Sequence, residues 1–498
     1  MPEVVLQIKN NNNTKGGKIK ALFICTEVSP YSTVGGIGRV AHYLPTALTK
    51  LGHDIKVFSP KYGKIDQDSF KFEMVIKGLR VPAGDGQYLI CNVKRHKLAN
   101  GPEVFFLENH EYYEKRANQY GYSDDPIRWA LLQRGALEFL RNIEWQPDLI
   151  HLNDWHTGLV PQMLKTWYKK SAKLSDMATL FTIHNLYFQG NFDHRFVSDL
   201  EYDDGRSEVP SMFDKRIHKI NSMRRGILFS DVVNTVSPSY AKEILTEEYG
   251  EGLHPLLREV KEKLYGVLNG IDYDEFNPKT DDNVKFHYSK EDFKNRAKNK
   301  SVLQEEFNLP KDDKCIIAVS GRMDDQKGVD LIIEILPSIL DLFDVQVVIN
   351  GGGDHRFLAA FNDMQKKYPK QLGLNLSYNY NLPRLIFSGA DMILIPSKFE
   401  PCGMVQMEAM RYGCIPVVRA TGGLTDTVKD GKTGFVFEKY DHLALFATVV
   451  RAIETYKYPK VWSTLIKNAM NEDFSWTNSA KEYAALYQRA MDKRTKKG

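Results

Sequence analysis

Cysteine is scarce in this sequence: there are five among 498 residues, Cys25, Cys91, Cys315, Cys402 and Cys414. They are odd in number, far apart and without a Cys-x-x-Cys or Cys/His pairing. That excludes a disulfide framework or a zinc site as the organising device and points to a reducing, cytoplasmic setting. An excess of charge of one sign is also missing. Lysine and arginine number 67 against 63 acidic residues, a net charge of +4, far from the dense basic patch of a nucleic-acid binder. No apolar run approaches the ~18 residues of a membrane span. The amino-terminal stretch holds only Val4-Val5-Leu6 and Ile8 before an asparagine run, not the continuous apolar segment of a signal peptide. No internal repeat is visible. With 42% hydrophobic and 26% charged residues, neither disorder nor a fibrous rod fits, and at ~150 residues per domain the length allows two to four domains.

What is present is one grammar written twice. After a flexible start over 1–17, residues 19–25 read as a buried strand, 36–51 as a helix closed by Gly52, and 54–58 as the next strand. Strand, helix and strand recur at 148–152, from Leu159, and at 180–183. A second series runs through 314–319, a helix over 328–342 and a strand over 345–349, with further apolar runs at 392–395 and 415–418 around a helix at 406–412. Such alternation predicts α/β architecture: two doubly wound, Rossmann-like domains facing a cleft, with ligands collecting at the carboxyl ends of the strands. The domains are placed at 18–276 and 301–473, a polar tract over 277–300 reads as a linker, and 474–498 reads as a last helix, returning to the amino-terminal domain.

Three motifs mislead. Gly36-Ile37-Gly38-Arg39-Val40-Ala41 satisfies the dinucleotide pattern, but it begins ten residues beyond its strand, and no acidic residue ends the next one at Phe58-Ser59. Gly431-Lys432-Thr433 ends like a P-loop, yet the first glycine of that motif would fall on Asp426. Asp272-Tyr273-Asp274 offers two carboxylates in a polar turn, which reads as solvated rather than metal-binding.

The residues that carry chemistry sit at strand ends. Gly35-Gly36 lies between a strand and a helix, where backbone N–H groups can receive an anion, and Thr421-Gly422-Gly423-Leu424 repeats that design in the second half. Arg322 and Lys327 follow the strand ending at Val319-Ser320 and can neutralise a diphosphate, the arginine as a fork and the lysine as a point charge. Glu400, before Pro401-Cys402-Gly403, places one carboxylate after the strand at 392–395. Asp154-Trp155-His156 and His184-Asn185-Leu186 end two amino-terminal strands with groups able to bind sugar hydroxyls, and Trp155 adds an aromatic face for a pyranose.

Together with Asn269-Gly270 and the closing Asp473-Phe474-Ser475-Trp476, this set resembles the bacterial glycogen synthase and plant starch synthase family, over about residues 19–487. The resemblance implies a two-domain GT-B fold and a retaining glucosyltransferase. It would move glucose from ADP-glucose or UDP-glucose to the non-reducing end of an α-1,4-glucan in glycogen or starch synthesis, with the nucleotide sugar as substrate and neither cofactor nor metal. By the same resemblance Arg322 and Lys327 hold the donor phosphates and Glu400 contacts the donor sugar near the reacting centre. Tyr378 lies against the nucleobase, His184 binds glucose hydroxyls, and Asp154 orients the sugars. Gly35, Gly36, Cys402, Gly403, Thr421, Gly422, Gly423 and Leu424 fall on the donor side, Trp155, Asn185 and Asn269 on the sugar and acceptor side. The expected partners are the nucleotide sugar and the glucan, with no nucleic acid and no membrane. The chain departs from the family at Thr33, where a lysine stands before the glycine pair, and at Arg39, where an acidic residue stands after it. Two other readings compete: a transferase for a small acceptor, sucrose- or trehalose-type, and a catalytically weakened glucan-binding regulator.

Overall fold

The computed structural model describes residues 3–4, 17–66, 68–190, 203–377, 379 and 381–495. The chain forms two compact units. Unit 1 comprises Met1–Val236, Ala241–Val267 and Trp476–Gly498, and unit 2 comprises Ser237–Tyr240 and Leu268–Ser475.

Unit 1 is built on ten strands: β1 (Glu3–Val4), β2 (Lys20–Ile24), β3 (Asp54–Pro60), β4 (Glu73–Gly84), β5 (Gln87–Lys97), β6 (Glu103–Glu108), β7 (Leu149–Asn153), β8 (Ala178–Ile183), β9 (Val232–Thr235) and β10 (Leu264–Gly266). They lie in the order β1-β4-β5-β6-β3-β2-β7-β8-β9-β10. The run from β6 to β10 is parallel, while β1, β4 and β5 pair antiparallel at one edge. Every residue of β7, β8 and β9 is buried, as expected of parallel strands covered on both faces. Glu3 and Val4 pair with Lys77 and Ile76, where a flexible start was expected; residues 5–16 of that segment fall outside the described residues.

Unit 2 is a parallel sheet of six strands: β11 (Cys315–Ser320), β12 (Val345–Asn350), β13 (Leu372–Asn375), β14 (Met392–Ile395), β15 (Ile415–Arg419) and β16 (Phe435–Phe437), in the order β13-β12-β11-β14-β15-β16. The strand order reverses once along the parallel run of unit 1, beside β2, and once in unit 2, beside β11. That reversal leaves a crevice at the carboxyl ends of β2 and β7 and of β11 and β14, the places where doubly wound sheets bind ligands.

Residues 277–300 are not a linker but part of unit 2. Val284 and Tyr288 are buried in its core, and the Arg296 side chain donates to the carbonyls of Phe387 (3.0 Å), Tyr412 and Ala390. The tract is poor in aliphatics because it binds the core through polar side chains that satisfy buried carbonyls. Asp272 likewise closes a turn, accepting from the amides of Asp274 (2.9 Å) and Glu275 (2.7 Å). The helix Trp476–Thr495 belongs to unit 1. Arg296→Met should therefore cost about 3 kcal/mol or more by stranding the Phe387 and Ala390 carbonyls, while the Tyr412 carbonyl keeps the Tyr288 hydroxyl. Urea denaturation measures it, and a loss under ~0.5 kcal/mol, normal for a solvated surface position, would restore the linker reading.

Candidate functional site

At the unit 1 reversal, Glu27 follows β2 and is buried. Its carboxylate accepts from the amides of Val34 (2.5 Å) and Gly35 (3.0 Å) and from the Tyr120 hydroxyl, which in turn accepts from Thr26 Oγ1 (2.7 Å). The turn at Gly35 thus receives an anion, but the anion is the protein's own Glu27. Gly36 opens the helix Gly36–Lys50, whose first turn has neither an acidic residue nor a side-chain cap. Thr33 is exposed on this loop. Neither Glu27 nor Tyr120 was singled out from sequence; an acid directly after a buried strand was the available signal.

Asp154, Trp155, His184 and Asn185 lie at the ends of the neighbouring strands β7 and β8. The Asp154 carboxylate accepts from the amides of His184 (2.7 Å) and Asn185 (3.4 Å), and its own amide donates to the Thr182 carbonyl (2.9 Å). These bonds hold Asp154 at φ 54°, ψ −177°, a conformation that costs a non-glycine residue roughly 1–3 kcal/mol and clusters at functional sites. Asn153 donates its amide to the Ile24 carbonyl (2.9 Å), so its oxygen accepts from His184 Nε2 (2.9 Å); that fixes the Nε2–H tautomer and leaves Nδ1 as an acceptor. The Asn185 side chain closes a turn on the Tyr187 amide (3.1 Å). Trp155 differs from the open sugar platform expected. Its ring lies 4.2 Å from the His156 ring, centroid to centroid, and a Cβ on Gly190 would fall 2.1 Å from it, so much of the indole is committed to packing.

At the unit 2 reversal, Lys327 ends a short turn capped by the Asp324 carboxylate. Gly328 follows at φ +68°, where a Cβ would lie 2.1 Å from the Pro396 carbonyl; only glycine allows this approach to the end of β14. The approach brings Lys327 Nζ to 2.6 Å from the buried Glu400 carboxylate, which also accepts from Ser397 Oγ (3.0 Å). Arg322 is exposed and pairs with Asp324 (2.7 Å) and Gln326 (3.1 Å). Gln406 clamps the loop after Glu400, donating to the carbonyls of Cys402 (3.1 Å) and Gly403 (3.0 Å), and Arg419 donates to the Lys398 carbonyl (2.6 Å). Ser397, Gln406 and Arg419 carry no spacing signal in the sequence.

Thr421 precedes the short helix Gly422–Thr427. Cβ atoms on Gly422 and Gly423 would fall 1.9 Å from the Glu400 carbonyl and 2.1 Å from the Cys402 carbonyl. The amide of Gly423 donates to Glu400 O (3.1 Å) and that of Leu424 to Thr421 O (3.1 Å). The glycine pair is therefore demanded by loop-on-loop packing, and two of the amides expected to face phosphate are already engaged. Asn269 is buried with its Oδ1 lacking a protein partner, an acceptor suited to a ligand hydroxyl. Tyr378 lies outside the described residues.

Burial sets the ionisation of these groups. It pushes the Cys402 thiol up to about 12, which keeps it neutral. It lowers His184 to about 4 and, with help from Arg128 and His184, His156 to about 3. It raises Asp154 to about 7 against the pull of the two amides that bond it. Between the unfolded carboxylate value of about 3.9 and this raised value the native state holds a proton that the unfolded chain has released, so this residue costs stability as pH rises through that window. Asp154→Asn keeps the acceptor oxygen and removes the titration. Its stability relative to wild type should climb between about pH 4 and 7; a difference that stays flat in urea titrations at several pH values would refute the assignment.

Comparison with known proteins matches residues 20–259 to the starch synthase catalytic domain and residues 301–469 to glycosyl transferases group 1. The chain is 38% identical to a glycogen synthase of Desulforudis audaxviator, over 95% of this chain and 97% of that one. It is 40% identical to a glycogen synthase of Geobacillus stearothermophilus, over 95% and 98%. The catalytic domain of starch synthase IV from Arabidopsis thaliana, solved with ADP and acarbose, superposes with a TM-score of 0.84 at 30% identity, covering 96% of this chain and all of that one. A sucrose-phosphate synthase from Thermosynechococcus elongatus, at TM-score 0.60 and 17% identity, shares the fold alone. With identities of this order over nearly the whole length, the chain belongs to the glycogen synthase and starch synthase family of GT-B glycosyltransferases.

Proposed function

We propose that this glycosyltransferase moves glucose from ADP-glucose or UDP-glucose to the non-reducing end of an α-1,4-glucan, with retention of configuration. The observation that carries the reading is the ion pair of the half-buried Lys327 with the buried Glu400, with Arg322 on the same loop as Lys327 at the unit 2 reversal. It supports a reading in which the two cations meet a leaving diphosphate and the carboxylate meets positive charge developing on a sugar. The ADP and acarbose of the Arabidopsis relative support a nucleotide donor and an oligosaccharide acceptor.

Departure of the diphosphate adds negative charge to its bridging oxygen. Arg322 meets it with a planar fork after leaving Asp324, and Lys327 with a point charge after sharing Glu400. Glu400 then faces the anomeric carbon and stabilises its oxocarbenium character. In unit 1, Asp154 and the neutral His184 hold glucose hydroxyls, with the Nδ1 lone pair of His184 as an acceptor. Metal-independent transfer follows from the cation pair, so EDTA should leave activity intact.

Three measurements test this reading. Radiolabelled glucose should enter glycogen; label appearing only in a small glycoside would replace the glucan with a small acceptor. Lys327→Ala and Glu400→Gln should each lower kcat about 10²-fold or more with the fold retained, and effects confined to KM would remove both from the transition state. Thr33→Lys should change the KM for the nucleotide sugar more than that for glucan; a donor KM unchanged within about twofold would mean that Arg39 or another group already supplies the charge.

A further inference from the structure

The chemistry of unit 1 stands on a buried polar chain that the proposed mechanism does not use. On β7 the His151 ring bonds Tyr487 Oη through Nδ1 (2.8 Å) and Thr182 Oγ1 on β8 through Nε2 (2.7 Å). Thr182 Oγ1 donates to Asn234 Oδ1 on β9 (2.6 Å), and Asn234 Nδ2 donates to Tyr483 Oη (3.2 Å) and to the Thr235 carbonyl (3.4 Å). The direction of every proton follows. Asn234 turns its amide nitrogen to the Thr235 carbonyl, so its oxygen accepts the Thr182 proton. Thr182 must then accept from His151 Nε2–H, and Nδ1 must accept from Tyr487. One directed chain therefore crosses three adjacent strands, and both its ends are tyrosines of the helix Trp476–Thr495, four residues apart and so on one face of it. His151, Thr182, Asn234, Tyr483 and Tyr487 are all fully buried.

A polar chain in a core is less favourable than matched apolar packing unless every member is satisfied. When satisfied, it admits one register only. Residues two apart on a strand share a face, so the next layer on this face is Asn153, the last residue of β7, with His184 one residue past β8. Those two are themselves hydrogen-bonded, and Asp154 follows with its carboxylate on the His184 amide. We propose that Tyr487 and Tyr483 are positioning residues for glucosyl transfer: through His151, Thr182 and Asn234 the carboxy-terminal helix sets β7 against β8, and so the Asp154 carboxylate against His184. This inference rests on the assignment of Asp154 and His184 to the sugar.

Tyr487→Phe and Thr182→Val break the chain without changing side-chain shape. Each should lower kcat about tenfold, leave KM for donor and glucan within about twofold, and speed amide exchange in 182–186, where the His184 and Asn185 amides bond Asp154. Thr182→Ser, which keeps the hydroxyl, should restore most of kcat. Leu486→Ala, a buried apolar change on the same helix, should lower the Tm yet keep kcat within about twofold. Turnover that falls in proportion to Tm across all four variants would overturn the inference, as would unchanged exchange at 182–186 in Tyr487→Phe. Asp154→Asn and His184→Ala, assayed beside them, separate the two failures. If both lose activity while Tyr487→Phe keeps it, the positioning role falls alone; if both keep it, the sugar assignment falls and takes the positioning role with it.

Discussion

Strands β7, β8, β9 and β12 are buried along their whole lengths, and a strand covered on both faces can meet a ligand only beyond its end. That constraint decides where polar chemistry sits in both units. Glu27, Asp154 and His184 follow β2, β7 and β8; Arg322 and Glu400 follow β11 and β14. In each unit they gather at the point where the strand order reverses, because there the two connections leave toward opposite faces of the sheet and open a crevice. The glycines serve the same end, since Gly328, Gly422 and Gly423 stand where backbones approach too closely for a Cβ.

Each crevice satisfies its charges internally. Glu27 occupies the Val34 and Gly35 amides, Glu400 holds Lys327, and Asp324 holds Arg322. A buried ion without a partner costs several kcal/mol, so the buried Glu400 carboxylate holds the half-buried Lys327 against it. In the proposed transfer a diphosphate with a glucosyl group would satisfy both at once, the anion on the lysine and the developing cation on the carboxylate. Arg322, being exposed, could exchange Asp324 for phosphate at little cost in that transfer, because surface ion pairs contribute ~1 kcal/mol or less.

The sequence is most legible where burial is complete. Parallel strands such as β12 and β14 appear as unbroken apolar runs, and both doubly wound series could be read from them. The hairpin of β4 and β5 escaped, since β4 alternates exposed and buried residues across Gly78 and Pro82, which read as breakers. The helix Asp125–Asn142 escaped for the opposite reason: Arg128, Gln133, Arg134 and Glu138 are buried with its apolar residues, so no amphipathic period marks it. The tract 277–300 misled because polarity there means hydrogen bonding to buried carbonyls, not solvation. At the site, lone charged groups after apolar runs stood out. Contacts made across long separations, Tyr120 with Glu27 or Gln406 with the Cys402 carbonyl, leave no trace in local spacing.

Ionisation divides the work between the units. Burial holds His184, His156 and His151 neutral at pH 7, so none of them repels positive charge on a sugar and none has an acidic proton at hand. Among the groups at the ends of β7 and β8, only Asp154 titrates near neutrality. Its carboxylate is destabilised by burial, so in the role proposed for it a sugar acquiring positive charge would favour the ionised form. Under that proposed role the interaction would strengthen as the reaction proceeds, which is the condition for lowering a barrier rather than merely binding a ground state. The cations, by contrast, belong to unit 2, where Lys327 pairs with Glu400 and Arg322 with Asp324. Burial also makes these neutral histidines weak bases, so in the transfer proposed above the acceptor hydroxyl's proton goes to the departing phosphate, the stronger base on the face of attack.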